Sequence, residues 1–307
     1  MKTHSVTACP ACGSETARGL LLGGDAVLRR CAACGFVHAP EYADPAEIYR
    51  EGYLRGETEF GMDVFDPEYQ RMLERIGNQR MALLDRTARP PGSFLDVGCG
   101  SGEVLIAAKR HGWDVQGVEP VEDSAREGVE RGVSVITATL EESGLPERSW
   151  DVVAIFHVLE HMSQPVEFLR MISRWAKPGG HILVEVPNFR SFHRKHAQER
   201  WPSLRPLEHI GHFEPATLRS VMERAGLKPV RVDTPGYVGR EQNLEQALLD
   251  LGRHHWLERA PMRLLSGSGA SGARVPNGAG WALLLAMQRA YAAAKVGQVI
   301  FATARVA

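Results

Sequence analysis

The chain has 307 residues, a formal net charge of −1 at pH 7 and a sequence pI near 6.9. This near-neutral balance gives no electrostatic reason to expect a nucleic-acid partner or an anionic membrane surface. The first residues lack the apolar core of a signal peptide, and no apolar run approaches the ~18 residues that a membrane span needs. We therefore expect a cytoplasmic protein without a membrane span, and we do not favour a nucleic-acid partner.

Residues 1–40 contain two near-copies of the turn C-x-x-C-G, which supply Cys9, Cys12, Cys31 and Cys34. In a chain without an export signal, such pairs indicate metal ligation rather than disulfides. Four thiolates complete a tetrahedral Zn2+ site with no open position, so we predict a structural zinc in a small ribbon or knuckle. Residues 20–22 and 27–28 could form a short hairpin between the turns. A redox dithiol and a coincidental pairing are the alternatives.

Residues 41–92 form a helical bridge after this head. Tyr42, Tyr49 and Tyr53 precede a charged run, from about residue 67 to 87, whose apolar residues recur at helical spacing. The simpler interpretation is a helix that packs on the next domain. The functional interpretation is a lid that brings Tyr49 or Tyr53 near a ligand. For each tyrosine taken alone, packing is favoured.

Residues 93–188 alternate between strand and helix patterns, which is typical of a parallel sheet with helices on both faces. The apolar runs predict strands near 94–97, 113–118, 133–136, 150–156 and 181–186, and helices near 102–111, 122–131 and 165–176. The fold class predicted from this order is α/β.

Residues 188–214 are basic and rich in histidine, and they follow the fifth strand, at the sheet edge where ligands bind in open α/β folds. We favour a substrate lid over a solvated loop. Beyond it, the patterns predict a helix from Glu214 to about Ala225, a strand over 227–233, helices over 239–260 and 281–295, a flexible loop over 266–272, and a final strand over 298–303.

A glycine-rich turn follows the first predicted strand of the α/β region. The strand ends at Asp96, and Gly98, Gly100 and Gly102 come before a helix whose N-terminal N–H groups are free to meet a ligand. The spacing is G-x-G-x-G, which disfavours a nicotinamide dinucleotide. Glu119 ends the second strand, where an acidic side chain can accept hydrogen bonds from both hydroxyls of a ribose.

Taken as a set, these motifs resemble the class I S-adenosylmethionine-dependent methyltransferases, over roughly residues 90–235. The set consists of D-V-G-C-G-S-G at 96–102, Glu119, S-W-D-V-V at 149–153, H-V-L-E-H at 157–161, K-P-G-G at 177–180 and V-P-N at 186–188. The subgroup indicated is the small-molecule type that includes the ubiquinone-pathway O-methyltransferases. The cysteine pairs resemble, more loosely, the zinc-binding heads of some sugar and natural-product methyltransferases.

The resemblance implies a seven-stranded, mostly parallel Rossmann-like sheet over residues 93–307, with a substrate-lid segment at 188–214 and a helical insertion at 239–295. It also implies where S-adenosylmethionine binds. Asp96, Gly98, Cys99, Gly100 and Gly102 would surround its methionine part, Glu119 would hold the ribose, Pro120 would flank the adenine, Leu140 and Glu141 would approach the adenine edge, and Phe156 and His157 would face the methyl group and the substrate.

The chemistry asks little of the protein, because the sulfonium already activates the methyl group and the acceptor has only to be close and aligned. A hydroxyl acceptor also needs a base, for which His157, His161 and His209 are candidates. The run from His157 to His161 also matches the H-x-x-E-H signature of inverzincin peptidases. We reject that match, because the run follows a strand instead of lying on one helix face. A local metal at His157, Glu160 and His161 is a weaker alternative.

The sequence thus predicts a transferase that methylates a small molecule in a biosynthetic reaction, with O-methylation favoured. A sugar, a glycan precursor or a natural-product intermediate would be the acceptor. The alternatives are an RNA methyltransferase that uses the zinc head to bind its substrate, and a non-catalytic zinc-headed scaffold. Against RNA methylation stands the F-H-V-L sequence at 156–159, where an [N/D/S]-P-P-[Y/F] block would be expected.

Overall fold

The computed structural model describes residues 2–15, 17–21, 27–50, 52–53, 55–58, 63, 66–205, 207–236, 266–268, 274–276, 286, 289–290 and 292–307. The helix predicted over 239–260 lies outside the described residues, as does most of the helix predicted over 281–295. None of the helices in the described part of the chain combines the length and apolarity that a bilayer crossing requires.

The N-terminal head consists of short antiparallel strands. Strands β1 (Thr3–Ser5) and β5 (Glu41–Ala43) pair with each other. Strands β2 (Ala17–Leu21), β3 (Val27–Cys31) and β4 (Val37–His38) belong to a second sheet, in which Leu20 lies opposite Leu28 and Leu21 opposite Val27. The hairpin predicted for residues 20–22 and 27–28 is therefore present over its described residues.

The fourth strand of this second sheet comes from a distant part of the chain. Strand β11 (Gly211–His212) pairs antiparallel with β4, and the sheet order is β11-β4-β3-β2. Residues 211–212 belong to the segment predicted as a substrate lid. The head and that segment therefore share one sheet. The domain boundaries drawn at residues 40 and 92 stay predictions.

The central sheet has seven strands in the order β12-β15-β10-β9-β6-β7-β8. Their bounds are β6 Ser93–Val97, β7 Asp114–Val118, β8 Val135–Ile136, β9 Trp150–Phe156, β10 Ala176–Pro187, β12 Lys228–Asp233 and β15 Val299–Arg305. Six strands run in the same direction, and β15 alone is reversed, antiparallel to both of its neighbours, β10 and β12. The predicted seven-stranded, mostly parallel α/β fold is confirmed.

Both faces of the sheet are covered because alternate side chains of each strand point to opposite sides. On one face, Val153 and Ile155 of β9 join an apolar cluster with α5 (Pro165–Ser173) and α7 (Pro215–Arg224). On the other, Val152, Ala154 and Phe156 join a cluster with α2 (Pro67–Leu84) and α3 (Glu103–Arg110). The remaining helices are α1 (Pro45–Ile48), α4 (Glu122–Glu130) and α6 (Phe192–Ala197). The bridge therefore supplies α2 as a packing helix.

Three elements differ from what the sequence patterns predict. The helix predicted to end at residue 176 ends at Ser173, and β10 already pairs at Ala176 before its register shifts across K-P-G-G. The lid segment, expected to be irregular, contains α6, which begins because the Ser191 hydroxyl accepts a hydrogen bond from the Arg194 N–H at 3.1 Å. Of the loop predicted over 266–272, residues 266–268 form β13 (Ser266–Ser268), which pairs antiparallel with β14 (Arg274–Pro276), and residues 269–272 lie outside the described residues.

Candidate functional site

The glycine turn between β6 and α3 has a backbone that side chains would block. Gly98, Gly100 and Gly102 have φ values of +73°, +54° and +80°, a region that L side chains rarely adopt. A Cβ at Gly98 would lie 2.8 Å from Val158 Cγ2, and one at Gly102 would lie 2.7 Å from Val133 Cγ2. The turn is therefore a close-fitting cradle that only glycine can form.

Glu119 joins the end of the second strand to this turn. Its carboxylate accepts a hydrogen bond from the Gly100 N–H at 2.9 Å and from the Val121 N–H at 3.0 Å. Burial raises the pKa of Glu119, and these two N–H groups partly oppose the rise. The acid predicted to hold a ribose is thus fixed beside the turn and has further lone pairs available.

Asp96 lies at the carboxyl end of β6 and is 1% exposed. Its Oδ1 has no hydrogen-bond partner among the described residues. Burial raises the pKa of Asp96 well above its usual value, and the guanidinium of Arg80 opposes that rise. A buried carboxylate oxygen without a donor is costly, so this geometry fits a ligand that carries an N–H or ammonium group.

The other residues predicted to contact the cofactor lie in the turn, at the end of β9 and in the segments that follow β7 and β8. Cys99 and Leu140 are buried, Pro120 follows Glu119, and Glu141 is exposed after β8. Burial raises the pKa of Cys99 well above its usual value, so this thiol is not an activated nucleophile. Phe156 ends β9 with its ring 4.6 Å from the Arg80 guanidinium carbon.

A chain of charges, buried except at His157, crosses the end of the sheet beside Phe156. Arg80, from α2, donates to both carboxylate oxygens of Glu185 in β10. His157 Nε2 lies 3.2 Å from Glu185, and His157 Nδ1 lies 3.0 Å from Glu160. Burial alone would raise the pKa of Glu185, but Arg80 and His157 outweigh it and hold the pKa at about 2. The four groups alternate in charge along the chain.

His157 lies between the carboxylates of Glu160 and Glu185 and is protonated near neutral pH. Burial lowers the pKa of His157, but hydrogen bonds to Glu160 and Glu185 outweigh it and raise the pKa to about 9. Both of its ring nitrogens face carboxylates, so neither offers a free lone pair near neutral pH. Its backbone φ of +56° is unusual for a residue with a side chain. His157 was predicted as a base, but its partners suit a residue that orients others.

His161 has the opposite arrangement. Its Nδ1 lies 3.0 Å from the backbone oxygen of Glu208 and 2.5 Å from the hydroxyl of Tyr49. A carbonyl oxygen can only accept, so these partners assign the proton to Nδ1 and the lone pair to Nε2. His161 belongs to the 3₁₀ turn Leu159–His161, which directly follows β9. His161 therefore presents the lone pair of Nε2, which has no hydrogen-bond partner among the described residues, from a side chain that is not fully buried.

His209 packs edge-to-face against His161, with ring centroids 4.7 Å apart. Its Nδ1 lies 2.9 Å from the backbone oxygen of Ser203, which again places the lone pair on Nε2. Burial lowers the pKa of His209 well below its usual value, and the nearby His161 lowers it further. His209 is thus a neutral imidazole beside His161.

The bridge reaches across this site through three residues. Tyr53 donates from its hydroxyl to Glu208 at 2.7 Å, and the Gly52 N–H donates to Asp123 of α4 at 2.8 Å. Tyr49 meets His161 as described above. We call Tyr49, Gly52 and Tyr53 the strap. It connects the side of the site that holds Glu119 to the side that holds the histidines. Tyr49 therefore lies beside His161, as in the interpretation that the sequence analysis did not favour.

The four cysteines of the head fit a metal ion. Cys9 Sγ lies 3.6 Å from Cys34 Sγ, and Cys12 Sγ lies 3.6 Å from Cys31 Sγ. A tetrahedral zinc with Zn–S bonds of about 2.3 Å places its sulfurs about 3.8 Å apart. Burial raises the pKa of Cys31, but the N–H groups of Cys34 and Ala33 outweigh it and lower the pKa to about 7. These contacts stabilise a thiolate.

A second group of metal-ligating side chains lies in the site itself. One ligand atom from each of Glu160, His161 and His209 lies within 4.8 Å of the others. The sequence analysis named His157, Glu160 and His161 as a possible metal site. In the structure His157 faces the carboxylates of Glu160 and Glu185, and His209 replaces it in the group. Glu160 Oε2 has no hydrogen-bond partner in the described part of the chain.

Sequence reasoning missed Arg80 and Glu185, although both leave a signal. Arg80 stands between Ile76 and Leu84 at four-residue spacing, on the apolar face of α2. Glu185 interrupts the apolar run from 182 to 186 in β10. A charged residue at an apolar position of two separate elements predicts that the two charges meet.

Comparison with known proteins gives a consistent picture. The model of the family described as a methyltransferase domain matches residues 68–232, more than half of the chain. A ubiquinone biosynthesis O-methyltransferase from Hahella chejuensis is 35% identical over 124 residues, which are 38% of this chain and 52% of that protein. One from Caulobacter vibrioides is 32% identical over 172 residues, 49% of this chain and 66% of that protein. The chain thus spans about half the length of the first curated relatives it matches.

Among solved structures, a protein from Thermotoga maritima shares the fold. It is described as a SAM-dependent methyltransferase, possible histamine N-methyltransferase, and superposes with a TM-score of 0.50 at 18% identity. The superposition covers 78% of this chain and 95% of that chain. At this identity the likeness concerns the fold alone.

Proposed function

The chain belongs to the class I S-adenosylmethionine-dependent methyltransferases, and from that membership we propose that it transfers the methyl group to a hydroxyl of a small molecule. The observation that carries the proposal is the position of His161, with a free Nε2, at the end of the strand next to the glycine cradle. The similarity to ubiquinone biosynthesis O-methyltransferases supports a hydroxyl acceptor. Sugars, glycan precursors and natural-product intermediates are the acceptor classes we propose.

The cradle residues fit the cofactor through the groups that they leave available. Asp96 would accept a hydrogen bond from the cofactor's amino group with its unpartnered Oδ1, and Glu119 would accept from the ribose hydroxyls. Pro120, Leu140 and Glu141 would border the adenine, and Phe156 would line the methyl side. When bound, the cofactor supplies an activated methyl group. The protein must then align the acceptor and remove its proton.

We assign proton removal to His161. His157 has both nitrogens facing carboxylates, and His209 is a buried neutral ring whose Nδ1 is held by Ser203. His161 is fixed by Glu208 and Tyr49 on its protonated nitrogen only, so Nε2 can accept a proton from an acceptor hydroxyl. Glu160, His161 and His209 could instead hold a divalent ion that lowers the pKa of the hydroxyl. Proton removal by His161 needs no metal ion, whereas the route through a divalent ion would make activity depend on that ion.

We propose Zn2+ as the structural metal of the head, bound by Cys9, Cys12, Cys31 and Cys34. All four positions of the ion would be filled by thiolates, so it would stabilise the fold and take no part in the reaction. Thiolates that bind zinc also require a reducing compartment, which supports a cytoplasmic location as part of the same proposal.

A mass-shift screen tests the function. The purified protein is incubated with S-adenosylmethionine and with pools of nucleotide sugars, phenols and amines, with and without a chelator. We expect a product heavier by one methylene unit from a hydroxyl compound. Binding of S-adenosylmethionine in calorimetry with transfer only to amines would overturn the hydroxyl assignment. If calorimetry shows no binding of S-adenosylmethionine, the assignment as a methyltransferase is wrong and a non-catalytic scaffold is favoured. Loss of activity in chelator with zinc retained in the head would favour the metal route.

A further inference from the structure

The lid segment lies against the head along its backbone. The Ala39 N–H donates to the Ile210 oxygen at 2.9 Å, and the Ala43 N–H donates to the Leu207 oxygen at 2.9 Å. Next to the Ala39–Ile210 bond, Gly211 pairs with His38 and His212 with Val37 in the β4–β11 ladder. Residues 207 and 210–212 are thus held by residues 37–43, of which residues 41–43 pair with strand β1 of the head.

Side chains reinforce this contact between residues 30–43 and residues 207–214, which we call the joint. Phe36 of the head and Phe213 of the segment are fully buried and pack edge-to-face, with centroids 5.1 Å apart. Gly211 makes the packing possible, because a Cβ there would lie 2.9 Å from the Phe36 ring and 3.1 Å from the Phe213 ring. Arg30 of the head donates to Glu214, which caps α7, at 2.8 Å.

The head side of the joint takes its shape from a cysteine turn. The Cys31 N–H donates to the Phe36 oxygen at 2.8 Å, and the Gly35 N–H donates to the Cys31 oxygen at 3.0 Å. Phe36 therefore leaves the turn in a direction that the turn fixes. So small a head cannot bury enough apolar surface to fold alone, and a bound metal would supply much of its folding free energy.

The segment that the head holds carries two residues of the site. Glu208 presents its backbone oxygen to His161 and its carboxylate to Tyr53, and His209 packs on His161. From this arrangement we infer that the four-cysteine head is the template of the acceptor side of the site: it holds residues 207–213 in place, while the glycine cradle is organised without it. The inference rests on the proposed function only in calling this side the acceptor side.

The cradle has separate supports. Its turn is held by Glu119 and by the oxygen of Val118, which accepts from the N–H groups of Gly98 and Cys99 at 2.8 and 3.2 Å. These residues belong to the central sheet. Loss of the metal is therefore expected to loosen one half of the site and to spare the other.

Hydrogen–deuterium exchange of the full chain tests the coupling without an acceptor. Zinc-loaded protein is compared with protein whose zinc has been removed by a thiol reagent and a chelator. We expect exchange in peptides covering 203–213 to rise at least about tenfold on metal removal, since local opening there becomes about 1.4 kcal/mol easier. Exchange over 96–102, and the Kd for S-adenosylmethionine in calorimetry, should stay within about twofold.

Two alanine variants separate the joint from the metal. Gly211→Ala places a Cβ between Phe36 and Phe213 at a backbone conformation that alanine can adopt, so it should speed exchange over 203–213 with zinc still bound. Gly19→Ala lies in the same sheet, and a Cβ there meets no atom within 4 Å. It should change neither exchange nor zinc content.

Three results would overturn the inference. The first is unchanged exchange over 203–213 in both the zinc-free protein and Gly211→Ala. The second is an equal rise over 96–102. The third is loss of the whole fold on zinc removal together with unchanged exchange in Gly211→Ala. A wild-type chain that does not bind S-adenosylmethionine would instead overturn the proposed function, and the exchange result would still report on the joint.

Discussion

Tyr49 and His161 lie 112 residues apart in the chain, yet the tyrosine hydroxyl is 2.5 Å from the histidine Nδ1. The tyrosine comes from the strap, whereas the histidine follows the fourth parallel strand of the sheet. Burial raises the pKa of Tyr49, and the nearby carboxylate of Glu208 raises it further, so the hydroxyl is neutral near neutral pH. The contact orients the ring of His161 without adding charge to it.

Replacing the hydroxyl tests this orientation. Tyr49→Phe keeps the aromatic contact with His161 but leaves Nδ1 with the Glu208 oxygen alone. We expect kcat with any acceptor found in the screen to fall about tenfold, since a positioned base contributes two to four orders of magnitude in all. The Kd for S-adenosylmethionine should not change. Tyr42→Phe is the control, because Tyr42 stacks on His4 in the head. An unchanged kcat in Tyr49→Phe would show that the Tyr49 hydroxyl does not position His161 for catalysis.

The glycine cradle makes a second prediction. Gly100→Val adds a branched side chain at a φ of +54°, in the turn that would surround the methionine part of the cofactor. Calorimetry should show no binding of S-adenosylmethionine, while circular dichroism shows a folded chain. Gly144→Val is matched for backbone strain, with a φ of +68° and no atom within 4 Å of its Cβ, and should bind normally. A tightly binding Gly100→Val would refute the cradle assignment.

Metal content provides a third prediction. The purified wild-type chain should contain one zinc per molecule, measured by elemental analysis. Cys31→Ser removes one of four thiolates and should lose the zinc together with solubility or thermal stability. Cys99→Ser changes the remaining cysteine and should keep one zinc. A Cys31→Ser protein that loses zinc but melts like the wild type would contradict a structural role for the metal.

The buried pair of Arg80 and Glu185 makes a fourth prediction. Arg80→Met leaves the fully buried Glu185 carboxylate without its guanidinium, and we expect the free energy of unfolding to fall by about 3–5 kcal/mol in urea titrations. Adding Glu185→Gln should restore part of the loss. Arg110→Met breaks the exposed pair of Arg110 with Glu74 and should cost less than about 1 kcal/mol. Equal losses in the two single variants would argue against the buried pair.

The pKa of His157 gives a fifth prediction, about pH. Its folded value of about 9 exceeds its ordinary 6.5, so its contribution to stability is complete below pH 6.5 and is lost as the pH rises through 9. The side chain is 42% exposed and screened by solvent, so we expect a loss of only about 1 kcal/mol. His157→Gln, which cannot titrate, should lack this decline between pH 6.5 and 9.5. Parallel curves for the two proteins would show that His157 is not charged in the folded state.

The sequence predicted those parts of the fold that depend on local pattern. Continuous apolar runs identified the parallel strands, and the turn at Gly98–Gly102 identified the cradle, because buried parallel strands and positive φ values restrict residue choice at each position. The four cysteines were found by spacing alone, since two C-x-x-C turns leave few other uses for their thiols.

The rest depended on long-range contacts that no local pattern contains. Strand β11 has only two residues, too short for a periodic signal, and its partner lies in the head. The distinction between His157 and His161 was equally inaccessible, because it depends on Glu185, Glu208 and Tyr49 from three other elements. The pKa of a histidine depends on which of its partners are charged, and the residues next to it in the sequence do not identify those partners.

Strand β15 lies between β10 and β12 and is antiparallel to both, so the β12 end of the central sheet is joined to the rest by residues 299–305. A nascent chain on the ribosome has therefore synthesised six strands of this sheet before it can close the gap. Until then β10 and β12 each present an unpaired edge, the kind of surface that recruits other chains. The order of synthesis thus delays completion of the sheet until residues 299–305 are available, and it makes truncation before residue 299 a route to aggregation.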